Sequence, residues 1–588
     1  MGGLRQNSHV GHAPSDEQWG AIRDLLDHLE GAAHGNLRTA LHVSTIPAGV
    51  GKSQAVAAFA RALMQSPGHD FEGMLILVNR IAEAEDMAAR LAAHRTKVCI
   101  FTSRPDVNDM GDHMVADHAQ VCITTQAALK VTFRELHGAP FGDASKFHYR
   151  GARRAVVAWD ESFAFNRPVT LDADTAGGLA RAMRRQSDDA ANMLKRWTSD
   201  LDNCAGGLCS VPDFEGVGMG IDFRRLEDDV GDNDELVAQA KALAVVSGDV
   251  GFVTRQGTAS ILITHYPEIP PSLMPVVVTD ASARVNQSYT QMAQRIPLVW
   301  LKDAPKTYQN MTIRIVPTAA SRSVYRDTKT FRGRELIDMA VRYIESVPGD
   351  DVLVIGYRGR FTIRGLDQPA HDASLERALK DRLKPEDRDR VKYLAYGRHT
   401  ATNAFKDVRR VLLLGLNFVP KAAGHAASGA ALDLDLIDNH PTTDQIKDMR
   451  EGMLMDSTLQ ALLRGHARVS VGGDCGVMEA VVPQTTQTGL SRLAYASMFP
   501  GAHIVLDNLL LPARPLRGRL KALDTIVVRR LRAGEREMTN GSICSEMRMS
   551  DRNFRALVQR PEWQERRAQL GLNPQKLTGR KMGLRLTA

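Results

Sequence analysis

Two pairs of residues in this chain could do chemistry together: Lys52 with Ser53, and Asp160 with Glu161. The first pair closes the stretch "STIPAGVGKS". The apolar run "ALHVSTI" reads as a buried strand, Gly49 and Gly51 permit a tight turn, and "KSQAVAAFARALMQ" has helical periodicity. An anion on this loop, Pro47-Ala48-Gly49-Val50-Gly51-Lys52-Ser53, would meet a helix N-terminus. Lys52 would reach the β- and γ-phosphates of ATP as a point charge, and the Ser53 hydroxyl would ligate Mg²⁺ beside phosphate oxygens and water. The full pattern G-x-x-x-x-G-K-[ST] has one departure, Ile46 in the place of its first glycine.

The second pair supplies what phosphoryl transfer to water still needs. "RRAVVAWDESF" reads as a buried parallel strand, Ala155 to Trp159, with Asp160 and Glu161 at its C-terminal end, where open α/β sheets bind ligands. Asp160 would act on the metal, and Glu161 would orient or deprotonate the attacking water. Both pairs must be positioned by strands of one sheet.

At 588 residues the chain has material for several domains. Its 43% hydrophobic and 24% charged composition is that of a globular protein, and its longest apolar runs are far too short to span a bilayer. The N-terminal stretch has no apolar signal region, which predicts a cytoplasmic protein. Six cysteines without a second close pair beside Cys204 and Cys209 give no zinc framework. Net charge is +7, but from Arg514 onward 18 Lys and Arg stand against 7 Asp and Glu. The basic charge is therefore concentrated in the tail, and points to a polyanionic partner.

The ordered blocks resemble superfamily-2 (DEAD/DEAH-like) helicases. "PAGVGKS" is similar to their phosphate loop, and "DESF" occupies the place of their D-E-x-x tetrad. "FEGMLILVNRIAEAEDMAARL" and "VCITTQAALK" resemble the two blocks between, which implies nucleic-acid backbone contact at Asn79, Arg80, Thr124 and Thr125, with Gln126 following. "MPVVVTDASAR" resembles motif III at Thr279–Ser282, and "DVLVIGYRGR" motif IV. Gly397, Arg398, Thr402 and Asn403 fall in a motif V-like run. "STLQALLRGHARV" resembles Q-x-x-G-R-x-x-R through Gln460 and Arg464, with Leu463 replacing the glycine and Arg468 one residue late. The resemblance implies an arginine finger from a second lobe, Arg464 as first candidate and Arg468 as second. It also implies an adenine-reading glutamine upstream, a role Gln18 could fill; a solvated helix glutamine fits as well.

The expected fold is α/β: two RecA-like parallel-sheet P-loop domains with an insertion and a small helical C-terminal domain. Residues 1–35 form an N-terminal helical segment, 36–285 the first lobe with an insertion at 163–260, 286–508 the second lobe, and 509–588 the basic tail. The insertion reads as a strand-separating or substrate-guiding element, or as surface elaboration. In the tail, Ile543, Met547, Met549, the N-cap Ser550, Phe554, Leu557 and Val558 follow a helix-turn-helix pattern. Arg552, Asn553 and Arg555 would then start a recognition helix facing DNA, unless the module serves contacts between proteins. The chemistry expected is an ATP-dependent DNA helicase or translocase, with RNA not excluded as partner, replication or repair proteins as further partners, and no membrane. A remodelling ATPase that separates no strands, or a DNA-binding regulator without catalysis, are the alternatives.

Overall fold

The computed structural model describes residues 14–135, 144–216, 218–231, 233–322, 324, 330–357, 375–397, 404–485, 489–507, 510, 518–570, 572–576 and 582–586. By their contacts they fall into two units, residues 1–336 with 344–507, and residues 337–343 with 508–588. Arg398, Thr402 and Asn403 lie outside the described residues.

The first unit opens with helix α1 (Asp16–Ala33), whose N-cap Ser15 and third residue Gln18 form a capping box. Strand β1 (Leu41–Ser44) then leads through the phosphate loop into α2 (Lys52–Gln65). β2 (Met74–Val78), α3 (Ile81–Leu91), β3 (Val98–Phe101), β4 (Val121–Thr125), α4 (Gln126–Glu135) and β5 (Val156–Asp160) follow. The chain leaves this sheet for the strands β6 (Asn166–Asp172), β7 (Leu208–Ser210), β8 (Val250–Gln256) and β9 (Ala259–Pro267), then returns through β10 (Val276–Thr279) and β11 (Leu298–Trp300). The main sheet has the order β11-β1-β10-β5-β2-β4-β3, with every pairing parallel. Its central strands are buried along their length because helices cover both faces, and so they read as unbroken apolar runs. Register aligns Ser44 with Thr279 and Thr279 with Asp160, so the C-terminal strand ends that bear chemistry share one row.

A second parallel sheet holds β12 (Met311–Val316), β13 (Val352–Gly356), β14 (Val391–Ala395), β15 (Arg410–Leu414), β18 (Met478–Pro483) and β19 (His503–Leu506), in the order β14-β13-β15-β18-β12-β19. A small hairpin, β16 (Ser470–Val471) with β17 (Asp474–Cys475), precedes β18. Helices α5 (Lys421–Leu432) and α6 (Thr443–Leu462) connect β15 to that hairpin. The two RecA-like α/β lobes expected from the sequence are thus both present.

Strands β6 to β9 form a separate antiparallel sheet in the order β6-β9-β8-β7, with a core that includes Leu171, Leu194, Phe214 and Leu243. Its outer face is not free. Ile261 and Ile263 pack on Ala422 and Ala426 of α5, Asn166 Nδ2 donates to the Ala430 carbonyl at 2.9 Å, and a His265 ring nitrogen bonds the Leu434 carbonyl at 2.7 Å. The small residues of "KAAGHAASGAAL" allow this approach: a Cβ at Gly424 would collide with the Arg450 side chain, and one at Gly429 with Leu436. This sheet therefore touches the second lobe as well as the first.

The tail unit contains α7 (Gly518–Arg532), β20 (Glu537–Thr539), α8 (Asn540–Glu546), α9 (Asp551–Val558), β21 (Leu572–Lys576) and β22 (Met582–Leu586). The strands form an antiparallel sheet, β20-β22-β21, that the helical expectation for this region did not include. Val527, Ile543, Phe554 and Trp563 are fully buried in its core. Among the described residues no helix is long and apolar enough to cross a membrane, and no cluster of three His, Cys, Asp or Glu could hold a metal.

Candidate nucleotide site

Gly49 and Gly51 both take left-handed backbone, φ +86° and +117°, which other residues adopt only under strain. Gly51 is the N-cap of α2, and Lys52 and Ser53 are its first two residues. The loop therefore presents a helix N-terminus without any carboxylate in its first turn. Burial holds the Lys52 ammonium below its ordinary range, opposed by Asp160, Asp280 and Glu161.

Asp160 ends β5 with its side chain fixed from a strand and a helix: Thr279 Oγ1 of β10 donates to Oδ1 at 2.6 Å, and Ser53 Oγ of α2 to Oδ2 at 3.4 Å. Its carbonyl accepts from Gln126 Nε2 at 2.6 Å. The Ser53 hydroxyl and the Asp160 carboxylate are hard oxygen donors on one spot beside the phosphate loop, a set that fits Mg²⁺ with its other positions left to phosphate and water.

Glu161 is one of four described non-glycine residues with positive φ, at +71°, and its N–H donates to the Thr279 carbonyl at 3.2 Å. Asn79 Nδ2 donates to Glu161 Oε2 at 2.9 Å. Burial raises the Glu161 carboxyl above its usual range, with Asp160 adding to the rise and Asn79 and Arg464 opposing it. A raised pKa makes the carboxylate a better proton acceptor.

The second lobe contributes its arginines from the end of α6. Asp456 and Gln460 stand at four-residue spacing on one face of α6, and Arg464 follows just past the helix end at Leu462. Arg464 is buried, and its guanidinium is held by its neighbour: Nε donates to the Gln460 carbonyl at 3.2 Å and Nη2 to Gln460 Oε1 at 3.1 Å. Burial, reinforced by Arg468, brings it down to about 10, with Glu161 and Glu83 opposing. Arg468 sits in the short 3₁₀ turn His466–Arg468. Burial lowers it too, while Glu161, Asp160 and Glu83 hold it up. Its backbone closes on the phosphate loop, since a Cβ at Gly49 would overlap the Arg468 carbonyl. Both candidate fingers thus reach the site, and Arg468, not Arg464, lies against the loop and senses both acidic residues.

Several expected contacts take other positions. Gln18 is fully buried; Nε2 donates to the Pro305 carbonyl at 2.9 Å, while Oε1 accepts from the Ser15 N–H at 3.2 Å and from Ser470 Oγ at 3.3 Å. It therefore has no free edge for an adenine ring, and as a buried residue it is not a solvated helix glutamine either. Thr124 is fully buried, its hydroxyl donating to the Phe101 carbonyl at 2.7 Å, and Thr125 Oγ1 accepts from the Ala128 N–H at 3.2 Å at the start of α4. The Thr124 hydroxyl is thus spent inside the sheet, whereas Thr125 caps α4 as an acceptor. Asn79 faces Glu161, and Arg80 Nη2 donates to the Gly397 carbonyl of the second lobe at 2.9 Å.

Three residues escaped the sequence reading. Glu83 accepts the N–H groups of Asn79 and Arg80, both at 3.1 Å, and burial with Glu161 and Asp160 raises it to about 7. Asp456 faces Asp280 between the lobes, raised to about 7 by burial and by Asp280, with Ser282 and Gln460 opposing. Lys306 lies in the connector between the sheets. Glu83 carried a signal, an acid three residues into a helix; Asp456 is visible only by its helical spacing from Gln460 and Arg464; Lys306 carried none.

In the tail unit, Ser550 Oγ accepts from the Asn553 N–H at 3.3 Å and caps α9, as the sequence pattern requires. Arg552 and Asn553 are exposed, and Arg555 pairs with Asp551 at 2.5 Å on the same face.

No protein-family model and no curated protein sequence matches the chain. Among solved structures it is similar to S. tokodaii Xpd4, at 11% identity and a TM-score of 0.40 over 83% of this chain and 99% of that one. It is similar to S. cerevisiae Dbp5 bound to RNA and ADP BeF3, at 9% identity and 0.34 over 84% and 94%. The Escherichia coli DEAH/RHA helicase HrpB gives 12% identity and 0.30 over 80% of this chain and 43% of its own length. Likeness of this degree leaves function to the site itself, where two parallel-sheet lobes bring a phosphate loop, an acidic strand end and two arginines to one cleft.

Proposed function

We propose that the chain is a helicase-type ATPase that hydrolyses ATP between its two lobes and moves along, or unwinds, DNA. The observation that carries the reading is the meeting of Lys52, Ser53, Asp160 and Glu161 from one lobe with Arg468 and Arg464 from the other. In this reading the phosphate loop and Lys52 hold the β- and γ-phosphates. Mg²⁺, held by Ser53 and Asp160, would neutralise charge on them. Glu161, oriented by Asn79, accepts the proton of the attacking water. Arg468 faces the charge that builds on the γ-phosphoryl group, and Arg464, tied to Gln460, acts beside it; a finger of this kind is worth roughly 10³ to 10⁵ in rate.

DNA as the partner rests on the basic tail and on the exposed Arg552 and Asn553 at the start of α9. ATP turnover of the purified protein with single-stranded DNA, duplex DNA and RNA added in turn tests the reading. Turnover stimulated most by DNA is expected; no turnover under any condition would leave a DNA-binding regulator. A strand-displacement assay then separates unwinding from remodelling.

A further inference from the structure

The segment joining the two sheets is stitched to the phosphate loop and its surroundings. Thr45 Oγ1 donates to Asp303 Oδ1 at 3.3 Å, and Gln18 Nε2 to the Pro305 carbonyl at 2.9 Å. Between them and β12 stands Lys306, a lysine only 4% exposed. Its Nζ donates to the Ala48 carbonyl of the phosphate loop at 3.3 Å, and to the Ala467 and Arg468 carbonyls of the arginine turn at 2.9 and 3.0 Å. An ammonium has three N–H groups, and here three carbonyls from two lobes take them.

We infer that Lys306 is a positioning residue for ATP hydrolysis: by bonding both sides of the cleft from the connector, it sets the arginine turn against the phosphate loop. The inference rests on the proposed ATPase reading.

Two observations favour this over simple filling of the core. Buried lysines are rare because desolvation opposes their charge, and here burial pushes the ammonium down to about 7, Arg468 and Arg284 adding to the fall and Cys475 and Asp474 opposing it. The Tyr308 ring, 5.5 Å from Nζ, walls the other side. Further, Gly49 leaves no room for a side chain against the Arg468 carbonyl, so a small shift of the turn would either open the cleft or press on the loop. Lys306 is the group that fixes that spacing, through its bonds to backbone carbonyls on both sides.

The test is a double-mutant cycle on ATP hydrolysis with Lys306→Met and Arg468→Ala. Lys306 bonds the backbone of Arg468, so Arg468→Ala keeps the clamp and removes what it presents. Lys306→Met alone should lower kcat about tenfold or more and change KM less than about threefold, as loss of a transition-state contact does. On the Arg468→Ala background the same change should alter kcat less than about twofold. A single variant with wild-type kcat, a loss confined to KM, or losses that multiply would each overturn the inference. If the Met variant does not fold, Lys306→Gln replaces it in the same cycle. Should the wild type show no ATP turnover, the functional reading fails by itself. Amide hydrogen exchange then decides: faster exchange in Lys306→Met at both Gly49–Gly51 and Arg468 supports the clamp, and unchanged exchange overturns it.

Discussion

The phosphate loop and the arginine turn face each other across one cleft, yet the chain builds them by different means. The loop is made within one strand-turn-helix unit: β1 ends, two glycines take left-handed backbone, and α2 begins at Lys52. Each requirement is met by a neighbour in sequence. The turn at 463–468 closes short bonds of its own, Arg464 N–H to the Ala461 carbonyl and Arg468 N–H to that of Gly465, but these do not set where it lies. Its helix ends at Leu462, a short 3₁₀ turn follows, and its distance from the loop is set by Lys306, by Gly49 and by packing of the whole second lobe. Local motifs survive in sequence because backbone geometry demands particular residues; a contact between lobes constrains only where a side chain ends up.

The comparison breaks most directly at the loop. Lys52→Ala should abolish turnover while leaving the fold intact, since it removes charge from the phosphates and little packing. Glu161→Gln should keep ATP binding and lower turnover by about 10² to 10⁴. Wild-type turnover should fall with falling pH through a pKa above 4.5, because burial and Asp160 raise Glu161 and the base acts only when deprotonated. Normal rates in either variant would remove the site.

A smaller and sharper effect separates the two arginines. Arg468→Ala should reduce kcat by about 10³ or more, and Arg464→Ala by less, because its guanidinium is already bonded to Gln460. The reverse order, read from kcat at saturating ATP, would restore the expected motif spacing and make the approach of Arg468 incidental.

In the tail, changing Arg552, Asn553 and Arg555 to Ala should weaken duplex binding without altering basal turnover. Each lost phosphate contact should flatten the slope of log K against log salt by about 0.9. An unchanged affinity and slope would favour a module for contacts between proteins.

The smallest effect is expected at Gln18. Gln18→Ala should lower stability by about 1 kcal/mol through the capping box and leave the preference for ATP over GTP unchanged. A variant that gained GTP turnover would show that the glutamine reads adenine after all.

The sequence by itself determined that there are two parallel sheets, because their central strands, buried on both faces, are unbroken apolar runs. It also determined the turn and helix of the phosphate loop, the acidic strand end, and the Ser550 cap of α9. Tertiary structure alone decided which carbonyls Gln18 and Lys306 bond, that Thr124 faces Phe101, that Asn79 holds Glu161, and that the β6–β9 sheet rests on α5. The physical reason is one of range. A glycine at positive φ or a helix cap answers to residues three or four positions away, whereas a buried polar side chain takes whichever partner the fold brings to it, here from as far as 452 positions along the chain between Gln18 and Ser470.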